Sequence, residues 1–226
     1  MPIKAVIFDI GNVLIGWQPE DFFDSVIGED RRRGFFAAVD LHGMNDKIDA
    51  GANFHDTLEQ TAKDNPDWAT EITIWHERWI DMAAPLIPHS ERLMYALQAK
   101  GIPVFSLTNF GIQTYDLAAQ SYPFMRKFDR DFISGHMGVI KPDPVIYQML
   151  EDESGLSGDA LIFADDRQDN IDAANARGWR THLFEGPQGW ADRLVYEGLL
   201  SKAEAAWPRS RSFPSPRARP CLTGSA

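Results

Sequence analysis

The sequence predicts an α/β fold in which a parallel sheet is interrupted, after its first strand, by a helical insertion. Three observations lead there. Five short apolar runs read as strands, at residues 3–8, 102–107, 131–134, 161–164 and 179–184. From the second run onward they alternate with segments of helical periodicity, the pattern of a parallel sheet. The long interval between the first and second runs holds no convincing strand but several helical patterns.

The elements follow in order. Lys4-Ala5-Val6-Ile7-Phe8 is apolar on both alternating sets of positions, as a strand buried on both faces must be. Gly11-Asn12 turns the chain just past Asp9. Residues 20–26, 31–39, 54–63 and 68–82 read as helices, with Ile72, Trp75, Trp79 and Met82 at helical spacing. A plain crossover needs far fewer residues than 17–85. That stretch is therefore expected to form a cap over the site, with residues 1–16 and 86–200 forming the core. Asn45 to Gly51 reads as a cap-helix segment with a glycine stop, in which Asp46 or Asp49 would meet substrate hydroxyls. Trp17, His42, Met44, Trp75 and Trp79 are candidates to line the pocket, and Trp68, Trp75 and Trp79 to exclude water. Residues 90–97 form a helix with Ser90 as its N-cap and a stop at Lys100-Gly101. Residues 144–151 and 171–177 are further helices, the second closed by Gly178. Residues 208–226 are rich in Pro, Ser and Arg, lack periodicity and are expected to be disordered.

Bulk properties bound the function. A chain of 226 residues holds one α/β domain with a good core and a modest insertion. The net charge of −11 argues against nucleic acid and anionic membrane surfaces as partners. The single cysteine, Cys221, rules out an intramolecular disulfide and a cysteine-rich metal site. There is no amino-terminal apolar h-region, and no window approaches the ~20 apolar residues of a membrane span. The expectation is a cytoplasmic monomer or homodimer.

Four short segments carry chemistry. The first strand delivers Asp9 to the mouth of the sheet, where open α/β folds bind ligands. Ser106-Leu107-Thr108-Asn109, Lys141-Pro142, and Asp165-Asp166 with Asn170 follow at or near the ends of later strands. Taken singly, each has an ordinary structural reading as a cap, a turn or a surface lysine. Taken together and in this order, they read as a phosphoryl-transfer site. Such chemistry asks mainly for positioning and charge neutralisation. Asp9 would be the nucleophile, forming an aspartyl-phosphate. Mg²⁺, which prefers oxygen ligands, would be held by Asp9, the carbonyl of Gly11 and one of Asp165 and Asp166. The partner expected is a small phosphorylated metabolite.

Phe8-Asp9-Ile10-Gly11-Asn12-Val13-Leu14, Ser106-Leu107-Thr108-Asn109, Lys141-Pro142-Asp143-Pro144 and Phe163-Ala164-Asp165-Asp166 resemble the four ordered motifs of the haloacid dehalogenase-like hydrolase superfamily. The likeness covers about residues 3–185. It implies a Rossmann-like sheet ordered 3-2-1-4-5 with the helical cap between the first two motifs. The Asp165, Asp166, Asn170 pattern is similar to the branch of α-D-glucose-1-phosphate phosphatase and the amino-terminal phosphatase of soluble epoxide hydrolase. The resemblance implies that Thr108 and Asn109 hold the phosphoryl group and that Lys141 neutralises it. It makes Asp166 the better metal ligand, with Asp165 orienting Lys141 or a metal-bound water. One position departs. Many phosphatases of the superfamily carry a second aspartate two residues past the nucleophile, which protonates the leaving oxygen; here that position is Gly11. General acid–base catalysis is worth ~10²–10⁴-fold, so its loss implies slow turnover, a good leaving group or a substitute. The expected function is a Mg²⁺-dependent phosphatase for a small phosphomonoester, a sugar phosphate being one candidate. The alternatives are a 2-haloacid dehalogenase and a catalytically impaired protein that binds a phosphorylated ligand.

Overall fold

The computed structural model describes residues 2–207; the segment 208–226 and Cys221, the subjects of two expectations above, lie outside them. Five strands form one sheet: β1 (Ala5–Phe8), β2 (Val104–Thr108), β3 (Arg130–Ile133), β4 (Leu161–Asp165) and β5 (Arg180–Leu183). All neighbours are parallel and the order is β3-β2-β1-β4-β5, the order implied by the resemblance. The three central strands β1, β2 and β4 are buried at every residue.

Two-residue alternation gives the sheet two dry faces. Val6 and Phe8 join one core cluster, with Val104, Ile162 and Ala164. Ala5 and Ile7 join the other, with Phe105, Leu107 and Phe163. The first face is covered by α7 (Pro88–Ala99) through Leu93 and Leu97, by α8 (Ile112–Ser121) through Tyr115 and Ala118, and by α12 (Pro187–Tyr196) through Trp190 and Leu194. The second is covered by α10 (Pro144–Ser154) through Ile146 and Leu150 and by α11 (Gln168–Ala176) through Ile171 and Ala174. Short helices α9 (Ser134–Met137) and α13 (Lys202–Ala205) complete this part.

Between β1 and α7 run six helices and, among the described residues, no strand: α1 (Pro19–Ile27), α2 (Glu29–Ala38), α3 (Leu41–Asp49), α4 (Phe54–Asp64), α5 (Ala69–Glu77) and α6 (Trp79–Met82). Their buried aromatic residues, among them Phe23, Phe35 and Trp75, continue the first cluster. Local chemistry fixes the starts. Asp40 caps α3 by accepting from Gly43 N at 2.9 Å, and Asn53 caps α4 by accepting from Asp56 N at 3.0 Å. Asp143 caps α10 from one residue before Pro144, which fills the first helical position where no amide hydrogen is needed.

Some elements differ from the sequence expectation. The helix expected from Ser90 begins at Pro88, and Ser90 is fully buried inside it rather than capping it. The single helix expected over 68–82 is a 3-10 turn (Pro66–Trp68) followed by α5 and α6, which break at Arg78 (φ −118°, ψ 22°). There the Arg78 guanidinium lies over the Phe22 ring at 4.7 Å and its Nε donates to Asp81 at 2.8 Å. Helices α8 and α12 lie outside the sequence expectation, although Pro187 at the start of α12 and the spacing of Tyr115, Ala118 and Ala119 in α8 are both signals of a helix.

Candidate active site

The parallel register sets the site. Phe8 pairs with Ser106 on one side and Ala164 on the other, so the chain emerges from β1, β2 and β4 at one edge of the sheet. This is where strand order reverses and ligands bind in such folds. The Asp9 amide still donates to Ala164 O at 2.9 Å, which continues the ladder for one residue past β1. The chain then folds tightly. Ile10 O accepts from the amides of Val13, Leu14 and Ile15 at 3.3, 2.9 and 3.0 Å. Asn12 takes a left-handed conformation (φ 54°), which asparagine tolerates better than most residues.

Asp9 and Lys141 meet in the lining of a cavity of about 770 Å³. Asp9 is 7% exposed and Lys141 3%. The Lys141 ammonium directs its three hydrogens to Asp9 Oδ1 at 3.0 Å, Asp165 Oδ2 at 2.6 Å and Leu107 O at 2.9 Å. The main chain at Lys141 is held by a reciprocal pair: its amide donates to Asn109 Oδ1 at 2.7 Å and its carbonyl accepts from Asn109 Nδ2 at 2.9 Å. The side chain of Asn109 thus positions the lysine loop. Thr108, the last residue of β2, lines the cavity beside it.

The two adjacent aspartates have different surroundings. Asp165 is fully buried and surrounded by donors: Oδ1 accepts from Arg167 N at 2.8 Å and Asn170 Nδ2 at 2.9 Å, Oδ2 from Lys141 Nζ and from the same Asn170 amide at 3.0 Å. Those contacts use the acceptor capacity of a carboxylate. Asp166 lines the cavity, and its Oδ2 accepts from Asn12 Nδ2 at 2.9 Å. The opposite end of the Asn12 side chain accepts from Trp17 N at 2.8 Å, so this one residue ties the first loop to the fourth. Asn170 also reaches the cavity, and its Oδ1 is buried without a hydrogen-bond partner.

Three carboxylates, Asp9, Asp165 and Asp166, present oxygens within 4.8 Å of one another, against one ammonium. Burial raises the Asp9 carboxyl well above its ordinary value; Lys141 opposes the rise and Asp165 and Asp166 add to it. Burial works against the charge of Lys141, but Asp165 and Asp9 outweigh it and hold the ammonium above its ordinary value. Asp166 is also raised, by burial first, with Asn12 opposing. Such excess negative charge around an orphaned acceptor fits a hard cation with oxygen ligands.

The helices between β1 and α7 also line the cavity. Trp17, Phe36, Trp75 and Trp79 are its aromatic lining residues there, joined by Phe110 from the loop after β2, and Asp40, His42, Asn45, Asp46 and Asp49 are its polar ones. Met44, a candidate for the pocket lining, and Trp68, a candidate to exclude water, are not among the lining residues. Met44 is in the core, and Trp68 packs against Phe35 at 5.8 Å. The sequence marks Asn12 only as a turn residue and Asn170 only as a motif position; their roles depend on contacts across the fold.

Two named relatives are similar, one over most of the chain and one over about a third of it. The sesquiterpene phosphatase astK of Aspergillus oryzae is 25% identical over 189 residues, covering 77% of this chain and 86% of its own. The drimenol cyclase drtB of Aspergillus calidoustus is 27% identical over 81 residues, 36% of this chain; the match spans only 15% of that protein's length. Among solved structures, a family enzyme from Bacteroides thetaiotaomicron, in complex with magnesium and inorganic phosphate, superposes with a TM-score of 0.65 at 19% identity, covering 81% of this chain and 95% of that one. The L-2-haloacid dehalogenase of Xanthobacter autotrophicus, with chloropropionic acid covalently bound, gives 0.57 at 18%, covering 88% and 84%. The family model for haloacid dehalogenase-like hydrolases matches residues 3–178, the span that carries every strand end and side chain of this cluster except β5, and the chain belongs to that family.

Proposed function

We propose that the protein is a Mg²⁺-dependent phosphatase that cleaves a small phosphomonoester through an aspartyl-phosphate on Asp9. One observation carries the reading most: a buried Asp9 held at 3.0 Å by Lys141, in the lining of a cavity whose neighbouring carboxylates exceed the available positive charge. The Ile10 amide, at 2.7 Å, and Lys141 fix Oδ1, which leaves Oδ2 to attack phosphorus. Thr108 and the main chain around Asn109 would bind the phosphoryl oxygens, with Lys141 supplying charge.

Asp9, Asp166 and the carbonyl of Gly11 would hold Mg²⁺, with the unpartnered Oδ1 of Asn170 facing it directly or through water; Asp165 would act by orienting Lys141. The metal, when bound, would offset repulsion between the nucleophile and an anionic phosphate. The magnesium and phosphate in the Bacteroides enzyme support this assignment by analogy. The dehalogenase alternative uses no metal, and the surplus of acidic groups here speaks against it.

The substrate's organic part would rest among the aromatic and polar lining residues. Aromatic surfaces together with carboxylates suit a sugar ring, and the aromatic residues alone suit an isoprenoid chain such as the name of astK indicates. The test is phosphate release from a panel that contains a hexose 1-phosphate, a farnesyl monophosphate and p-nitrophenyl phosphate. Release by the parent should vanish with EDTA and in Asp9→Asn. Halide release from a 2-haloacid with EDTA present, and no phosphate release, would overturn the reading.

A further inference from the structure

Breaking the ester bond of an alkyl phosphate leaves a strongly basic oxygen, which needs a proton donor. The loop that carries Asp9 offers none, since position 11 is glycine. The cavity holds several other acids. Asp40 is engaged as the cap of α3. Glu20 pairs with Arg32 at 3.2 Å. Asp46 and His42 are exposed. Asp49 differs from all of them in being held in place from two sides of the core.

The last turn of α3 and the residues just after it are wedged against the loop that follows β2 and the start of α9. Ser134 Oγ donates to Asp49 O at 2.6 Å. A Cβ on Gly111 would lie 2.5 Å from Ile48 Cγ2, and one on Gly51 would lie 2.6 Å from Gly135 O, so bare backbone is what lets the surfaces meet. The Asp49 carboxyl accepts from Asn45 Nδ2 at 2.7 Å and from the main chain of Gly111, two residues past Asn109. It is thus fixed to the same loop as the expected phosphoryl-binding residues while lining the cavity.

We propose that Asp49 is the general acid–base of this site, supplied by the insertion in place of a residue at position 11. The inference rests on the phosphatase reading above. In the first half-reaction an Asp9 oxygen bonds to phosphorus, the ester P–O pair leaves with the organic oxygen, and the Asp49 proton goes to that oxygen. In the second, water oxygen bonds to phosphorus and its proton passes to the Asp49 carboxylate. The P–O pair then returns to Asp9, and inorganic phosphate departs. The protonation balance suits the task. Burial pushes the Asp49 carboxyl up to about 7, with Asp46 adding to the rise and Gly111, Lys141 and Asn45 opposing it. Asp46 on its own helix and Lys141 across the cavity are the charges that act on it. A group poised near neutrality can give a proton in one step and take one in the next.

The test is the leaving-group dependence of kcat/KM, which reports steps up to formation of the phosphoenzyme. The variants are Asp49→Asn, Asp49→Glu and the double change Asp49→Asn with Gly11→Asp. A side chain at position 11 meets no atom within 4 Å of its Cβ, so the double variant can be built without a clash. Asp49→Asn should lose ~10²–10⁴-fold on an alkyl phosphate and almost nothing on 2,4-dinitrophenyl phosphate, whose leaving group needs no proton. Asp49→Glu should keep part of the alkyl activity, and Gly11→Asp should restore part of it in the double variant. Equal losses on both esters with no rescue would make Asp49 structural and overturn the inference, as would no loss on either. A parent that hydrolyses neither ester would instead overturn the phosphatase reading, and this inference with it. A parent active on both, with Asp9→Asn dead on both, confines any failure to Asp49.

Discussion

At the scale of single residues, the centre is a buried charge cluster that is stable only as a set. Lys141 balances Asp9 and Asp165 with direct contacts. Replacing it with Met would leave two buried carboxylates unpaired, which costs about 3–5 kcal/mol when one partner of a buried pair is lost. Urea denaturation of Lys141→Met in EDTA should show that loss, and added Mg²⁺ should recover part of it. A midpoint equal to the parent's would mean that the cluster is not charged as described. Asn12 gives a second prediction. Its φ of 54° is open to glycine at no steric cost, so Asn12→Gly removes the side chain without straining the turn. Asp166 loses its 2.9 Å donor, and Mg²⁺ affinity should fall ~10–100-fold, as for other residues that orient metal ligands. Calorimetric titration with Mg²⁺ checks it; unchanged affinity would remove Asp166 from the metal site. That Asp9, Thr108, Lys141 and Asp166 come to one cavity was legible in the sequence, because each sits beside a local signal, a strand end or a short motif. The Asn12–Asp166 bond was not legible, since it joins positions 154 residues apart.

At the scale of elements, strands were easier to read than helices. A wholly apolar run such as Val6 to Phe8 or Leu161 to Ala164 fits few places other than the middle of a covered sheet. Helix boundaries depend on side chains that pack elsewhere. Ser90 has the chemistry of a cap, yet burial against the core and Pro88 two residues earlier decide where α7 begins. The break between α5 and α6 likewise follows Arg78, whose partners Phe22 and Asp81 were not visible as a pair. For α3 the element matters more than its boundary, because its last turn must stay pressed to the core. Gly51 has φ 103°, and a methyl there would also meet Gly135 O at 2.6 Å. Gly51→Ala should cost ~1–3 kcal/mol in stability. Among the folded molecules it should slow alkyl phosphate cleavage more than cleavage of 2,4-dinitrophenyl phosphate. A variant as stable and as active as the parent would show that α3 is free of the core.

At the scale of the whole molecule, the sheet has a dry cluster on each face, and the insertion extends the one beneath α7 and α12. Among the described residues no helix is long and apolar enough to cross a membrane. The parallel character of the sheet was legible in the alternation of strands and helices, whereas its strand order was legible only through the resemblance of the four motifs. The cavity was not readable in the same way, since residues far apart in the chain, from the helices between β1 and α7 and from the loops after β1, β2 and β4, line it together. That enclosure has a consequence for stability. Asp9 and Asp49 are both pushed up to about 7 by burial, from an ordinary value of 3.8. Between those values the folded protein binds more protons than the unfolded chain, so stability is greatest at the acid end of this window and falls as pH rises through it. Metal-free protein should therefore lose thermal stability from about pH 4 to about pH 7 by these two groups, less so in Asp49→Asn. Mg²⁺ should flatten the slope by stabilising the ionised Asp9. A scanning-calorimetry series with and without EDTA checks the sign, and a slope unaffected by both changes would contradict it.

The most direct measurement is an acid quench of the parent and of Asp9→Asn during turnover of an alkyl phosphate with Mg²⁺, followed by peptide mass analysis. A phosphoryl group on the peptide that contains Asp9 in the parent, with neither adduct nor turnover in Asp9→Asn, is the predicted result. Phosphate release that continues undiminished in Asp9→Asn, with no adduct in either protein, would contradict a covalent route through Asp9.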